Sequence, residues 1–232
     1  MPLQALTKFE RQIERQLRFI ELKKGAIERR IGWRLRAFEQ KNRNRFDDEF
    51  RFFRSLLEKP LTVGAVAPSG KALARVMAGY IDPAVRGPIV ELGPGTGPVT
   101  EALVERGIDP ARLTLVEFDP TFCSHLRDRF PGVRVVQGDA YDLKHTLSGI
   151  LNEPAAAFVS GLPLFNKPLK MRLTLLDQAF TLMQPGAPFV QFTYNAISPI
   201  PRSHGQIRAE ASPRVWRNIP PARVWVYRQK PR

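Results

Sequence analysis

The chain has 232 residues, of which 43% are hydrophobic, enough for one globular domain with an extension. Its single cysteine, Cys123, excludes an internal disulfide, and one cysteine with three scattered histidines predicts no metal site. The sequence contains neither an apolar stretch of about 18 residues nor the apolar core of a secretory signal, so we expect a cytoplasmic protein without membrane spans.

Positive charge is concentrated at the two ends of the chain. The net charge of +14 divides into +8 for residues 1–45, −1 for 46–199 and +7 for 200–232. A nearly neutral centre between basic ends indicates contact with a polyanion, either a nucleic acid or an anionic membrane. Charge that serves only solubility is the alternative.

The first forty residues carry an apolar stripe with helical spacing. Arginines occupy much of the remaining surface, and this combination is typical of a helix lying in a membrane interface. Packing of the stripe on the catalytic core or on a second subunit is the alternative. We therefore divide the chain into a basic amphipathic extension, residues 1–57, and a catalytic domain, residues 58–232. The stripe consists of Leu6, Phe9, Ile13, Leu17, Ile20, Ile27, Ile31, Leu35 and Phe38.

From Pro88 onward, predicted strands alternate with helices. A helix starting near Lys71, with Ser69 as its N-cap, precedes them. The strands are "PIVEL", "LTLVEF", "VRVVQ", "AAAFVS" and "PFVQFTYN", with two more near 206–212 and at "ARVWVYR". The helices are 98–106, "TFCSHLRDRF", a short one after Asp142, and 168–183. This order predicts an α/β fold with a doubly wound parallel sheet, whose ligand lies at the carboxyl ends of the strands.

The segment "VELGPGTGP" places Glu91, Gly93, Gly95 and Gly97 between the first strand and the next helix. Glycines allow a sharp turn and a close approach of the backbone to a ligand. A dinucleotide fingerprint fails here because its last glycine is replaced by Pro98. The segment closely resembles the first motif of the class I, Rossmann-like methyltransferases, which use S-adenosylmethionine and release S-adenosylhomocysteine.

That resemblance implies cofactor contacts at the ends of the following strands. Glu117, 22 residues after Gly95, is expected to hold the ribose hydroxyls, with Asp119 as a second candidate. In "GDA", Asp139 is expected to meet the adenine amino group, beside Ala140. Further candidate contacts are Ser69 and Ser160. The resemblance also implies a seven-stranded, mostly parallel sheet.

Taken over nearly its whole length, the chain resembles the bacterial phospholipid N-methyltransferases. The resemblance rests on the basic N-terminus, "AVAPSGKALARVMA", the glycine motif, "GDA", "SGLPLFN" and "VWRNIPPARVWVYR". It implies stepwise methylation of phosphatidylethanolamine to phosphatidylcholine on the inner face of the cytoplasmic membrane. The N-terminal helix would bind the anionic membrane surface.

The segment "SGLPLFN" separates this interpretation from its main alternative. The rRNA adenine dimethyltransferases carry Asn-Leu-Pro-Tyr here, where the amide grips the base and the aromatic ring stacks on it. In this chain Gly161 and Leu164 replace those two residues, which disfavours RNA as a substrate. A non-catalytic membrane-binding protein is disfavoured because the donor motifs look intact.

Several residues near the predicted acceptor side are candidates for the lipid head group. The carbonyls of Ser160 and Gly161 are candidates to accept hydrogen bonds from the amine as it loses its proton. The aromatic candidates are Tyr141, Tyr194 and Phe165, and core packing is the alternative for each. Cations for the phosphate are Lys167, Arg202 and Arg208, with solvated surface charge as the alternative, and His204 is the most plausible histidine base.

Overall fold

A computed structural model describes residues 68–201, 207–218 and 220–230. The predicted extension 1–57, Arg202 and His204 lie outside the described residues. Across those three ranges, no helix is both long enough and apolar enough to cross a membrane.

The described chain alternates strands with helices, as the sequence predicts. The helices are α1 (Pro68–Ala78), α2 (Pro98–Glu105), α3 (Pro120–Arg129), α4 (Leu143–Thr146) and α5 (Leu169–Leu182). The strands are β1 (Ile89–Leu92), β2 (Leu113–Glu117), β3 (Arg134–Gln137), β4 (Ala157–Ser160), β5 (Phe189–Thr193), β6 (Ile207–Ala211) and β7 (Arg223–Gln229). Short 3₁₀ turns cover Pro110–Arg112 and Leu164–Asn166.

All seven strands form one sheet in the order β3-β2-β1-β4-β5-β7-β6. Strands β1 to β5 run parallel, whereas β7 is antiparallel to both β5 and β6. The predicted seven-stranded, mostly parallel sheet of a Rossmann-like methyltransferase is confirmed. The strand order reverses at β1 and β4, so a ligand crevice is expected at the carboxyl ends of these strands.

The sheet is covered on both faces, which explains why its central strands read as apolar runs. Every residue of β1, β2 and β4 is buried. On one face Met77 of α1 and Leu103 of α2 join the core. On the other face Leu175 and Leu176 of α5 do so. The central strands are therefore held rigidly, and the loops at their carboxyl ends start from defined positions.

The direction of β7 corrects one prediction. Arg228 on β7 pairs with Arg208 on β6, one step beyond the pair formed by Phe189 and Tyr227. Phe189 begins β5, so Arg208 lies level with the amino ends of the parallel strands. Arg208 was a candidate for the head-group phosphate, but it lies at the opposite edge of the sheet from the predicted site.

Two helix starts also differ from the predictions. Helix α1 begins at Pro68, so Ser69 lies in its first turn rather than before it as an N-cap. Helix α3 begins at Pro120, and the carboxylate of Asp119 caps it by accepting from the backbone N–H groups of Thr121 and Phe122. Asp119 thus stabilises a helix start, which is the ordinary role of an aspartate in this position. Its prediction as a second ribose ligand is not supported by this geometry.

Candidate active site

The glycine-rich loop leaves β1 in a conformation that only glycine adopts easily. Gly93, Gly95 and Gly97 have φ angles of 64°, 58° and 84°. A β-carbon at Gly97 would also lie 2.4 Å from Cε2 of Phe130, at the end of α3. The loop is therefore compact, and no side chain separates its backbone from a ligand.

An arginine at the end of α3 holds this loop in place. Nη1 of Arg129 donates to the carbonyl oxygen of Thr96 at 2.6 Å, and Nη2 lies 3.0 Å from the carboxylate of Glu101. The guanidinium group thus joins the glycine loop to α2. This bridge is non-local, and the sequence pattern gave no signal for it.

Glu117 ends β2 and turns its carboxylate toward the glycine loop. Oε2 accepts from the backbone N–H of Gly95 at 3.1 Å, and Oε1 accepts from those of Phe118 and Asp119 at 2.8 and 3.0 Å. Three backbone donors therefore orient the carboxylate before any ligand arrives. Its place beside the glycine loop is the one predicted for the ribose contact.

Glu91 is buried beneath the loop and has a structural contact. Its Oε2 accepts from Oγ1 of Thr100 at 2.7 Å, which links β1 to α2. Burial raises the pKa of the Glu91 carboxyl to about 7. The residue supports the glycine loop from below and stays a predicted cofactor contact.

The end of β3 contributes the predicted "GDA" turn, and the end of β2 an aromatic ring. Asp139 is exposed, and its Oδ1 accepts from the N–H of Tyr141 at 2.8 Å, while Ala140 is buried beside it. The side chain of Phe118, directly after Glu117, is 76% exposed. An exposed ring beside the ribose acid offers a flat face to a purine base. Phe118 was not predicted from the sequence, although its position between two acids in "VEFDP" was a signal.

These residues fit S-adenosylmethionine. The glycines with positive φ bring backbone without side chains to the crevice. The carboxylate of Glu117 is oriented so that it can accept hydrogen bonds from a ribose diol. Phe118 follows β2 and Asp139 follows β3, so both lie at the carboxyl ends of neighbouring strands. When bound, this cofactor supplies an electrophilic methyl group on a sulfonium centre. Within the described parts of the chain, no group of three or more metal-ligating side chains is found.

The loop after β4, residues 161–166, packs directly on the glycine loop, and we call it the acceptor loop. The N–H of Gly161 donates to the carbonyl oxygen of Leu92 at 2.8 Å. A β-carbon at Gly161 would lie 2.6 Å from the carbonyl oxygen of Gly93. The space beside Gly161 is therefore partly occupied by the backbone of the glycine loop. Ser160 is fully buried, and its Oγ accepts from the N–H of Leu162, so its side chain supports the turn.

A small, mainly apolar pocket of about 40 Å³ opens between the acceptor loop and the end of β5. Gly161 and Leu164 line it together with Phe165 and Tyr194. Leu164 is only 3% exposed, so most of its side chain belongs to the core. Phe165 and Tyr194 are half-buried, and the Tyr194 ring meets Phe192 edge-on at 5.5 Å. The structure thus brings these two predicted aromatic residues into one pocket.

Tyr141 and Lys167 lie together at the side of the acceptor loop. Nζ of Lys167 stands 5.0 Å from the centre of the Tyr141 ring, and Lys167 is exposed. The hydroxyl of Tyr141 is buried and has no hydrogen-bond partner among the described residues. Burial raises the pKa of this phenol to about 12, so it stays protonated and able to donate.

Gln191 is a further site residue that was not predicted from the sequence. It is fully buried on β5, and its Nε2 donates to the carbonyl oxygens of Leu162 and Phe192 at 2.9 and 2.7 Å. The side chain ties the acceptor loop to β5 under the pocket. An amide within the otherwise apolar run "FVQFT" was the available signal.

Comparisons with known proteins agree with the donor half of this site. A family model described as ribosomal RNA adenine dimethylase matches residues 77–159. The chain is 33% identical over 66 residues to ribosomal RNA small subunit methyltransferase A from Chlorobium chlorochromatii, which is 28% of this chain and 24% of that protein. Both matches are partial, and the family model ends before Gly161.

A longer match is found to a protein named for lipid methylation. The chain is 32% identical to the ornithine lipid N-methyltransferase of Singulisphaera acidiphila over 149 residues, which is 63% of this chain and 78% of that protein. Among solved structures, the O-methyltransferase from Bacillus cereus in complex with SAH is similar in fold. It has a TM-score of 0.53 and 16% identity, over 76% of this chain and 91% of that one. Together with the geometry of the site, these relatives identify S-adenosylmethionine as the cofactor.

Proposed function

Because this chain belongs to the family of class I S-adenosylmethionine-dependent methyltransferases that includes the ornithine lipid enzyme, we propose that it N-methylates a membrane phospholipid. The proposed acceptor is phosphatidylethanolamine, which is converted through its mono- and dimethyl forms to phosphatidylcholine. The reaction takes place at the membrane surface.

The acceptor pocket is the observation that carries this proposal. An enzyme that methylates a base needs hydrogen bonds to its edge and a ring that stacks on it. Here Gly161 has no side chain, and an added β-carbon would lie 2.6 Å from the Gly93 carbonyl oxygen. Leu164, at the position of the stacking aromatic residue, is an aliphatic side chain buried in the core. A small pocket of apolar side chains with one tyrosine, Tyr194, supports a small amine on a flexible lipid over a planar base.

RNA adenine methylation is the second candidate, and the family model favours it. That model matches residues 77–159, which include β1 to β3 and most of β4. The matched segment thus contains the glycine loop and Glu117 but not the acceptor loop. Similarity confined to the donor half supports a shared donor and leaves the choice of acceptor to residues 161–166 and β5.

The chain's own residues suggest how the amine is held. An ammonium group must lose its proton before it attacks, and an apolar pocket lowers its pKa by disfavouring the charged form. The predicted hydrogen-bond acceptors that orient the amine are the carbonyls of Ser160 and Gly161. In this scheme the rings of Phe165 and Tyr194 stabilise a methylated, cationic intermediate through cation–π interactions. Lys167, exposed beside Tyr141, is the proposed cation for the head-group phosphate.

The basic extension 1–57 supplies the membrane contact in this proposal. Thirteen Lys and Arg residues lie in positions 1–45. Each contributes on the order of 1 kcal/mol near an anionic leaflet. We therefore place the enzyme on the inner face of the cytoplasmic membrane as a peripheral protein, with its oligomeric state left open.

A parallel assay of three substrates tests the identity of the methyl acceptor. Purified protein receives radiolabelled S-adenosylmethionine and, in parallel, vesicles of phosphatidylethanolamine, vesicles containing ornithine lipid, or rRNA. Label in phosphatidylethanolamine supports the proposal. Label in ornithine lipid alone would keep lipid methylation but overturn the phospholipid acceptor, and label in RNA alone would overturn lipid methylation.

A further inference from the structure

Large hydrophobic side chains are exposed mainly along one edge of the sheet. Trp216 is 72% exposed, Ile197 is 47% exposed, and Leu169 and Met171 are each 38% exposed. All four belong to segments at the carboxyl ends of the parallel strands. Among exposed large hydrophobic residues of the described chain, Val85 alone precedes β1 and so belongs to the other edge.

The topology explains this placement. Leu169 and Met171 begin the helix that follows β4, and Ile197 follows β5. Trp216 lies between β6 and β7, and β7 starts at Arg223, which pairs with Thr193 at the end of β5. The loop of Trp216 therefore reaches the same edge as the acceptor loop.

Direct contacts connect these segments with the acceptor pocket. Nη1 of Arg172 in α5 donates to the carbonyl oxygen of Pro199 at 2.8 Å, and Pro199 lines the pocket. Val215, next to Trp216, packs against the same core cluster as Tyr194. The start of α5 thus contacts a residue that lines the pocket, and the loop of Trp216 joins the core cluster that Tyr194 of the pocket also contacts.

The charges of these segments have one sign. Residues 161–173, 194–201 and 212–218 contain five basic residues and no acid. Lys167 and Lys170 flank Leu169, and Arg214 and Arg217 flank Trp216, with Cζ of Arg214 lying 5.8 Å from the Trp216 ring. Apolar side chains between cations match the chemistry of a bilayer surface, where phosphates lie above the acyl chains. Tryptophan also prefers this interfacial depth.

We propose that this edge is a second bilayer contact, which turns the acceptor pocket toward an anionic phospholipid surface. We call it the docking edge and define it by Leu169, Met171, Ile197 and Trp216. It rests on the proposed lipid acceptor and deepens it. The N-terminal extension holds the enzyme on the membrane, and the docking edge orients the pocket so that a head group enters without leaving the interface.

The first test replaces Trp216→Ala and Ile197→Ser together in the full chain, with Val85→Ser as the matched control. Moving one large apolar side chain out of water changes binding by about tenfold or more. With vesicles of phosphatidylethanolamine and phosphatidylglycerol, we expect the double variant to methylate at least about tenfold more slowly than wild type at low lipid concentration. With a soluble short-chain phosphatidylethanolamine, its rate should stay within about twofold, because no interface is involved.

The second test measures directly whether Trp216 of the docking edge contacts the bilayer. The chain has three tryptophans, Trp33, Trp216 and the buried Trp225. In a Trp33→Phe variant, brominated lipids should quench the fluorescence of Trp216. Adding Trp216→Phe should remove that quenching.

The outcomes separate the two proposals. Equal vesicle rates for the double variant and the Val85→Ser control, or equal quenching with and without Trp216, would overturn the docking edge while leaving lipid methylation intact. If the wild-type chain methylates neither vesicles nor the soluble lipid, the proposed function itself fails. An equal loss on both substrates would also overturn the docking edge, since it would show damage to the active site.

Discussion

A β-carbon at position 161 would lie 2.6 Å from the carbonyl oxygen of Gly93. Gly93 begins the glycine loop and Gly161 begins the acceptor loop, so these two loops meet through backbone atoms without side chains between them. The geometry explains why a residue with a side chain, as in the base-methylating enzymes, would not fit here unless the backbone shifted. We therefore expect the acceptor loop to be coupled to binding of the methyl donor.

Gly161→Ala should therefore weaken both folding and donor binding. Its close contact is with backbone, which cannot turn away as a side chain does, and overpacking of this kind costs about 1–3 kcal/mol. We expect Tm to fall by several degrees, at about 2–4 °C per kcal/mol for a chain of this size. Calorimetry should show weaker binding of S-adenosylmethionine.

Gly149→Ala is the control for that substitution. Gly149 has a φ of 68°, and nothing lies within 4 Å of an added β-carbon, so its cost is backbone strain alone. It should lower Tm without changing donor affinity. Unchanged donor affinity in Gly161→Ala as well would contradict the coupling between the loops.

Glu117→Ala should abolish donor binding in practice. The substitution removes the acceptor for the ribose hydroxyls and releases the N–H of Gly95, which the carboxylate now holds at 3.1 Å. Hydrogen bonds to a charged group contribute about 1.5–3 kcal/mol each, so a loss of about 100-fold or more is expected by calorimetry. Asp128→Ala, an exposed acid on α3, is the control of equal charge change. Donor affinity that is the same in both variants would show that the ribose contact is misplaced.

Glu91→Gln should stabilise the protein increasingly as pH rises. Burial raises the pKa of this carboxyl from 4.5 to about 7, so the folded chain holds the proton more tightly than the unfolded chain. The stabilisation from that proton is complete below pH 4.5 and is lost as pH rises through about 7. The glutamine does not titrate, and its oxygen still accepts from Thr100.

The measurement compares the Tm of wild type and variant at about pH 5 and about pH 8. The variant's advantage should grow between these values and amount to a few kcal/mol at most, at about 1.4 kcal/mol for each pKa unit. Glu105→Gln, at an exposed position of α2, is the matched control. An advantage independent of pH would mean that Glu91 titrates normally.

Tyr141→Phe should lower kcat without harming the fold. The hydroxyl is buried and has no hydrogen-bond partner among the described residues, so removing it costs no internal bond. If it contacts the head group, kcat on lipid should fall about tenfold, the equivalent of one hydrogen bond. Donor affinity and Tm should stay as in wild type. Tyr80→Phe, before β1, is the control, and equal kcat in both variants would remove Tyr141 from the site.

Replacing Arg11, Arg15 and Arg18 by glutamine should weaken binding to anionic vesicles. At about 1 kcal/mol for each cation, the loss should reach about 100-fold at low salt. Neutral vesicles serve as the control, because their weaker binding should change little. Flotation that does not distinguish neutral from anionic vesicles, in wild type or variant, would contradict an electrostatic role for the extension.

The part of the site that binds the methyl donor could be predicted from the sequence because its motifs are local in the chain. Gly93, Gly95 and Gly97 need positive φ, and Glu117 follows its strand at a fixed interval, so chain order alone places them. Asp119 shows the limit of that reasoning. Alternation along a strand predicted a second ligand, but β2 ends at Glu117 and the side chain caps a helix instead.

The acceptor half depends on contacts between distant segments. Because β7 runs antiparallel to β5 and β6, Arg208 at the start of β6 lies level with the amino ends of the parallel strands. The residues around Arg208 do not encode the direction of these strands. The contact of Gly161 with Gly93, and the bond from Gln191 to Leu162, join segments far apart in the chain. Burial of Leu164 likewise follows from packing, which a short sequence motif does not reveal.

Lipid analysis of cells that express the chain tests phosphatidylethanolamine methylation most directly. The host should be a bacterium that makes phosphatidylethanolamine but no phosphatidylcholine, and the Glu117→Ala variant is the negative control. Mass spectrometry should find mono-, di- and trimethylated phosphatidylethanolamine with the wild-type chain and none with the variant. Unmodified phosphatidylethanolamine, with the protein folded and able to bind S-adenosylmethionine, would contradict the proposed function.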